Sequence, residues 1–175
     1  MQEPLLTEVI APEAVQARIA EVGREITSRF CGQPLVAVCV LKGAFLYFAD
    51  LVRHLDLDVS VEFVRLSSYG DGTSRGKHQV FSKDVETSLA GRNVLVVEDI
   101  VDTGHSADFL MRTFRERNPR ELALTSLVDK FERREVDLAV DFPGFHLKKG
   151  FLVGFGMDYA ERYRELRGIY ELTLE

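Results

Sequence analysis

The fold is decided by the run Val94-Leu95-Val96-Val97-Glu98-Asp99-Ile100-Val101-Asp102-Thr103-Gly104-His105-Ser106. Its first four residues are apolar β-formers, which predict a short strand buried on both faces, as in the middle of a parallel sheet. Two adjacent carboxylates, Glu98 and Asp99, end this strand. Beyond the turn at residues 103–106, apolar residues recur at helical spacing and predict a helix; they are Ala107, Leu110, Met111 and Phe114.

The turn at residues 103–106 has the features of a phosphate site. Ligands of open α/β sheets bind beyond the carboxyl ends of the strands. Free backbone N–H groups leading into a helix N-terminus attract phosphate. The carboxylates of Glu98, Asp99 and Asp102 would repel a bare phosphate, but they suit a ligand with hydroxyl groups or one that arrives with a divalent metal. A sugar phosphate meets both conditions.

Other segments of the chain repeat the alternation of strands and helices. A helix is predicted from Pro12 to Phe30, a strand at 35–41, a helix at 44–54, and strands at 59–63, 122–128 and 151–156. This order predicts a parallel sheet with right-handed crossovers. The polar residues that follow the apolar runs then converge on one rim as an active site; they are Lys42, Glu98, Asp99, Asp102, Lys130 and Asp158.

Composition places the protein among ordinary globular proteins. The 175 residues predict a single domain, with 46% hydrophobic and 29% charged residues. The net charge of −6 argues against binding nucleic acid or a membrane surface. The sequence has no apolar run long enough to cross a bilayer and no signal-peptide pattern at its start, so we expect a cytoplasmic protein.

Residues 67–77 form a glycine-rich stretch, Ser-Ser-Tyr-Gly-Asp-Gly-Thr-Ser-Arg-Gly-Lys. It has no apolar periodicity, which predicts a loop. A loop of this kind is often a lid over an active site, and the alternative is a plain connection between strands.

Together, these motifs resemble those of the type I phosphoribosyltransferases. The run at residues 94–106 is similar to their binding motif for phosphoribosyl pyrophosphate (PRPP). The particular form Glu98-Asp99-Ile100-Val101-Asp102-Thr103-Gly104 resembles the motif of the hypoxanthine-guanine phosphoribosyltransferases. Lys130, Phe151 and Asp158 add to this resemblance. The resemblance implies an α/β fold whose central parallel sheet is flanked by helices. It also implies a small hood, formed by the terminal segments of the single domain 1–175, over the C-terminal edge of the sheet.

The resemblance also implies how PRPP is bound. Asp102 is implied as the general base at purine N7. Glu98 and Asp99 are implied to hold the ribose hydroxyls and, with Asp158, a Mg²⁺ ion. In this family the Leu41–Lys42 peptide bond is often cis. The implied ligands of PRPP are Lys42, Gly43, Ser68, Tyr69, Glu98, Asp99, Asp102, Thr103, Gly104, His105, Ser106 and Arg164.

The purine site implied by the resemblance consists of Lys130, Phe151, Leu152 and Asp158. Lys130 would donate to the exocyclic O6, which selects a 6-oxopurine over adenine, and Phe151 would stack on the base. The expected substrates are hypoxanthine and guanine, and the products are IMP or GMP with pyrophosphate. A homodimer or homotetramer is expected.

The chain departs from the family pattern in two places. Lys148-Lys149-Gly150 stands where a proline-acid-lysine run usually precedes the stacking aromatic residue, so the preference among hypoxanthine, guanine and xanthine stays open. His105 stands where lysine or arginine is frequent, within a loop whose backbone amides contribute most of the binding.

Other functions remain open from the sequence. One is phosphoribosyl transfer to another base, such as xanthine, adenine, orotate or uracil. Another is a pyrimidine-attenuation regulator that binds messenger RNA, although such a protein needs a basic face and this chain is acidic. A response-regulator receiver would carry an acidic pair after its first strand, where this chain has Leu41-Lys42-Gly43.

Overall fold

The computed structural model describes residues 4–69, 78–148 and 150–174. Its strands are β1 (Leu5–Ile10), β2 (Leu35–Leu41), β3 (Val59–Tyr69), β4 (His78–Lys83), β5 (Asn93–Val101), β6 (Glu121–Asp129), β7 (Phe142–His146), β8 (Leu152–Val153) and β9 (Ile169–Thr173). Its helices are α1 (Pro12–Arg29), α2 (Phe45–Val52) and α3 (His105–Arg115), with a 3₁₀ helix at Phe131–Arg133. Within these described ranges, no helix has both the length and the apolar character needed to span a membrane.

A larger sheet with the strand order β4-β3-β2-β5-β6-β7 forms the centre of the molecule. All its neighbouring strands pair in parallel except β3 and β4, which are antiparallel. The predicted α/β fold is therefore confirmed, with one difference: the sheet carries an antiparallel edge strand. Strand β5 also continues beyond the predicted end at Val97, so Glu98 and Asp99 belong to the strand.

Helices cover both faces of this sheet. The side chains of β5 alternate between the two layers: Leu95 and Val97 pack in the core beneath α1 and α2, while Val94 and Val96 pack in the core beneath α3. The predicted apolar faces of α1 and α3 are buried as expected from their spacing. Because α3 begins at His105, directly after the turn, its N-terminus lies at the carboxyl end of β5.

A smaller antiparallel sheet has the order β1-β9-β8 and joins the two ends of the chain. The strand predicted at 151–156 is shortened to Leu152–Val153 and belongs to this sheet rather than to the central one. Gly154, Phe155 and Gly156 all have positive φ angles, so the chain leaves the extended conformation after Val153.

Most of the predicted lid lies outside the described residues, which omit 70–77. Its first three residues, Ser67–Tyr69, continue strand β3 and pair with β4. The lid itself therefore stays a prediction.

Candidate active site

Two adjoining cavities lie beyond the carboxyl ends of β5 and β6, and Ile100 and Asp102 line both. The larger cavity has a volume of about 330 Å³ and is lined by Asp99, Ile100, Asp102, Lys130, Arg133, Gly150, Phe151, Leu152, Met157 and Asp158. The smaller cavity has a volume of about 140 Å³ and is lined by Glu98 and residues 100–107. The structure thus brings the predicted purine-binding residues together in one cavity and the predicted phosphate loop around the other.

Asp102 stands between the two cavities, and its two carboxylate oxygens differ. Oδ2 accepts a hydrogen bond from Nη1 of Arg133 at 3.0 Å and lies 3.8 Å from Nζ of Lys130. Oδ1 is buried and has no hydrogen-bond partner among the residues that the structure describes. Oδ1 is thus the enclosed oxygen of this carboxylate, and Oδ2 is the oxygen that faces the charged groups of Arg133 and Lys130.

Lys130 follows β6 and is almost fully buried, with 3% of its surface exposed. Its Nζ donates to the backbone oxygen of Gly150 at 2.6 Å. Burial lowers the pKa of the Lys130 ammonium, and the negative charge of Asp102 opposes this effect. An ammonium carries three donors, so Lys130 can bind Gly150 and still donate to a ligand in the larger cavity.

Glu98 and Asp99 form an acidic pair, of which Glu98 is buried and Asp99 is half-buried. Burial raises the pKa of Glu98 well above its usual range, and the neighbouring charge of Asp99 adds to this. Burial also raises the pKa of Asp99 to about 6, and the charge of Asp158 contributes in the same direction. Hydroxyl donors or a cation placed beside this pair would favour its charged form.

Gly43 has no side chain, and the carboxylate of Asp99 occupies the space that a side chain at this position would fill. A Cβ atom at residue 43 would lie 1.7 Å from Oδ2 of Asp99. The turn after β2 and the end of β5 are therefore in direct contact, which explains why glycine follows Lys42. The peptide bond between Leu41 and Lys42 is cis.

Because of this contact, we expect the substitution Gly43→Ala to displace the Asp99 carboxylate. Asp99 is among the residues that the resemblance assigns to PRPP, so KM for PRPP should rise about tenfold, equivalent to about 1.4 kcal/mol. The displaced group is the end of a side chain, so the melting temperature should change little. Steady-state kinetics and thermal unfolding measure the two quantities. Unchanged kinetics with a large loss of stability would assign Gly43 a packing role only.

The turn before α3 is shaped by Gly104, whose φ angle of 91° lies in the left-handed region that glycine adopts readily. The backbone oxygen of Thr103 accepts a hydrogen bond from the amide of Glu135 at 2.9 Å. His105 pairs with the Glu135 carboxylate at 2.9 Å, and the Ser106 hydroxyl accepts from Gln79 at 3.1 Å. The chain after Lys130 therefore supports this loop from one side.

A row of acidic and basic side chains, joined by ion pairs, lies beside the cavities; its members are Asp158, Arg164, Glu161 and Lys42. Arg164 pairs with Asp158 at 2.7 Å and donates to the backbone oxygen of Gly156 at 2.6 Å. Lys42 pairs with Glu161 at 2.8 Å. Both predicted cationic ligands of pyrophosphate thus have acidic partners in this structure.

Phe151 is half exposed at the mouth of the larger cavity, with 51% of its surface accessible. Its ring meets Tyr159 edge to face, with a centroid distance of 5.6 Å. A half-exposed aromatic ring that lines a cavity offers a face for stacking. Leu152 contributes an apolar wall and is buried.

Other site residues were missed by the sequence analysis. Arg133 and Met157 line the larger cavity, and Glu161 pairs with Lys42. Arg133 lies three residues beyond Lys130, a spacing that could have drawn attention to it, whereas Glu161 carries no comparable signal. The side chains of Ser68 and Tyr69 lie outside what the structure describes.

Comparison with known proteins gives matches over most of the chain. The family model described as "Phosphoribosyl transferase domain" matches residues 7–160. The chain is 42% identical over 170 residues to a hypoxanthine phosphoribosyltransferase from Salmonella typhimurium, which covers 95% of this chain and 96% of that protein.

Solved structures give the same result. A hypoxanthine-guanine phosphoribosyltransferase from Bacillus anthracis matches with a TM-score of 0.92 and 38% identity, covering 98% of this chain and 100% of that one. A hypoxanthine phosphoribosyltransferase from Trypanosoma cruzi in complex with the product IMP matches with a TM-score of 0.89 and 36% identity, covering 95% and 93% of the two chains.

Proposed function

Because this chain belongs to the phosphoribosyltransferase family, we propose that it is a purine salvage enzyme acting on hypoxanthine or guanine. It transfers the 5-phosphoribosyl group from PRPP to the base, giving IMP or GMP and pyrophosphate. The names of the Salmonella and Bacillus relatives, and the IMP bound to the Trypanosoma relative, support this choice. These relatives give no support to an RNA-binding regulator or a receiver domain.

The observation that carries the proposal is the spacing of Lys130 and Asp102. Their charged groups lie 3.8 Å apart in the larger cavity, as Nζ of one and Oδ2 of the other. A 6-oxopurine presents O6 and N7 along a single edge. An ammonium that donates to O6 and a carboxylate that takes the proton from N7 must therefore be close neighbours. Adenine would place an amino group against the ammonium, which is donor against donor.

In the reaction, a bond forms between a purine nitrogen and C1 of PRPP, and the bond from C1 to pyrophosphate breaks. The N7 proton passes to Asp102, whose carboxylate lies between the two cavities. Phe151 stacks on the base from the mouth of the larger cavity, and the burial of Lys130 keeps its hydrogen bond to O6 away from water.

The smaller cavity takes the 5′-phosphate of PRPP. The backbone amides of the turn at residues 103–106 and the hydroxyls of Thr103 and Ser106 donate to it. Glu98 and Asp99 accept hydrogen bonds from the ribose hydroxyls. We assign the binding of pyrophosphate to Lys42, Gly43, Ser68, Tyr69 and Arg164. For this, Lys42 and Arg164 must exchange their acidic partners for phosphate oxygens.

Magnesium is the cofactor that this set of oxygen ligands suits. The part of the chain that the structure describes holds no group of three His, Cys, Asp or Glu side chains that could bind a metal unaided. Mg²⁺ instead keeps waters and takes one or two carboxylates together with substrate phosphates. Asp99 and Asp158 line the same cavity and influence each other electrostatically, beside Glu98. Asp99 and Asp158 would hold the ion together with water and pyrophosphate oxygens, Glu98 would add negative charge beside them, and the ion would neutralise charge on pyrophosphate.

Formation of nucleotide tests the function directly. Purified protein with PRPP, Mg²⁺ and hypoxanthine or guanine should release IMP or GMP and pyrophosphate in equal amounts, as measured by chromatography. Failure to form nucleotide from either base would contradict the proposal.

The role of the metal is tested in the same assay. Chelation of divalent cations by EDTA should lower the rate, and added Mg²⁺ should restore it, because the leaving group carries charge that the protein neutralises only in part. A rate insensitive to EDTA would reject the magnesium site.

The cytoplasmic location and the homodimer or homotetramer remain predictions from the sequence.

A further inference from the structure

The carboxylate of Asp102 is held from the cavity side by Arg133. Because Oδ1 of Asp102 is buried, Oδ2 is the oxygen that a ligand in the larger cavity can meet. Oδ2 is also the oxygen that Arg133 contacts, at 3.0 Å. Arg133 therefore contacts the same oxygen of Asp102 that a bound purine would meet with its N7 proton.

Arg133 reaches this position because of the turn that follows β6. The amide of Arg133 donates to the backbone oxygen of Lys130 at 3.0 Å and closes the 3₁₀ helix at Phe131–Arg133. Lys130 and Arg133 thus approach Oδ2 from the same short turn. A carboxylate oxygen accepts more than one hydrogen bond, so Arg133 can stay in place when the base arrives.

We propose that Arg133 is a positioning residue, which fixes Oδ2 of Asp102 in the larger cavity so that it meets the N7 proton of the purine. Arg133 acts through Asp102 and not on the substrate. A guanidinium suits this role because it stays charged throughout the working pH range. This inference rests on the proposed function, since it assigns a partner to the base of that reaction.

Two other roles for Arg133 make different predictions. The side chain is 51% exposed, and many exposed ion pairs contribute nothing measurable. Arg133 also lines the cavity and could contact the substrate itself. Only a role that passes through Asp102 disappears when the Asp102 carboxylate is removed.

The experiment is a double-mutant cycle on the full-length protein. Arg133→Met removes the charge and keeps most of the side-chain stem, Arg133→Lys restores a charge, and each is compared with and without Asp102→Asn. Arg112→Met is the matched control, because Arg112 is an exposed arginine that pairs with an aspartate, Asp108, and neither residue lines either cavity. For each variant, kcat and KM are measured with PRPP and hypoxanthine, using long incubations where turnover is slow.

Arg133→Met should lower kcat about fivefold, equivalent to about 1 kcal/mol, with both KM values changed by less than about twofold. Arg133→Lys should recover part of the loss, and Arg112→Met should have no effect. In the Asp102→Asn background, Arg133→Met should cause no further loss. An equal loss in both backgrounds, a change confined to KM, or no change at all would overturn the proposal. An inactive wild-type protein would instead reject the proposed function.

Discussion

We expect the substitution Asp102→Asn to lower kcat by about 100-fold or more, the usual cost of losing a positioned general base. Asparagine keeps the size of the side chain but cannot accept the N7 proton. It also removes the negative charge that Arg133 and Lys130 approach at 3.0 and 3.8 Å. PRPP binding should change little, because the amides of the turn at residues 103–106 remain. Steady-state kinetics and titration with PRPP measure the two effects.

Asp108→Asn is the matched control for this substitution. Asp108 also pairs with an arginine, Arg112, but it lies on α3 outside the lining of both cavities. This control should keep nearly full activity. If Asp102→Asn weakened PRPP binding as much as turnover, Asp102 would serve the phosphate rather than the base.

The second large effect is expected for Lys130→Ala, which removes the proposed donor to O6. A hydrogen bond from a charged group is worth about 1.5–3 kcal/mol, so kcat/KM for hypoxanthine and guanine should fall about 10- to 100-fold or more. Adenine makes no use of this donor, so its poor activity should not fall in step. Kinetics with each base under identical conditions measure the difference.

Lys148→Ala provides the comparison for Lys130→Ala. Lys148 is an exposed lysine that pairs with Glu132 at 3.0 Å and does not line the larger cavity. Its removal should leave the pattern of bases unchanged. A uniform loss over all bases for Lys130→Ala would mean that Lys130 supports the fold, for example through its hydrogen bond to Gly150.

Local patterns predicted the parts of the fold that local sequence controls. The apolar run of β5 and the helical spacing of α3 each reflect burial of that segment alone, and both predictions were confirmed. Strand β1 was missed because most of its residues are exposed and its pairing partner, β9, lies at the other end of the chain. Strand β7 was missed because it is short and contains Pro143 and Gly144.

The same distinction applies to the site. Lys130 and Asp102 could be predicted to converge because each follows or ends a strand of a parallel sheet, whose carboxyl ends share one edge. The contacts of Arg133 with Asp102 and of Glu161 with Lys42 depend on the paths of loops, which no periodicity encodes. The approach of Asp99 to Gly43 is likewise a tertiary contact that only the structure reveals.

The central claim is that the neighbouring charges of Lys130 and Asp102 make this site select a purine with a carbonyl group at position 6. The most direct test measures kcat/KM of the wild-type protein for hypoxanthine, guanine, xanthine and adenine, with PRPP and Mg²⁺ in one assay. The account predicts that hypoxanthine or guanine exceeds adenine by a factor of about 100 or more, because adenine opposes the donor of Lys130 with a donor of its own. Adenine used as well as hypoxanthine and guanine would contradict it.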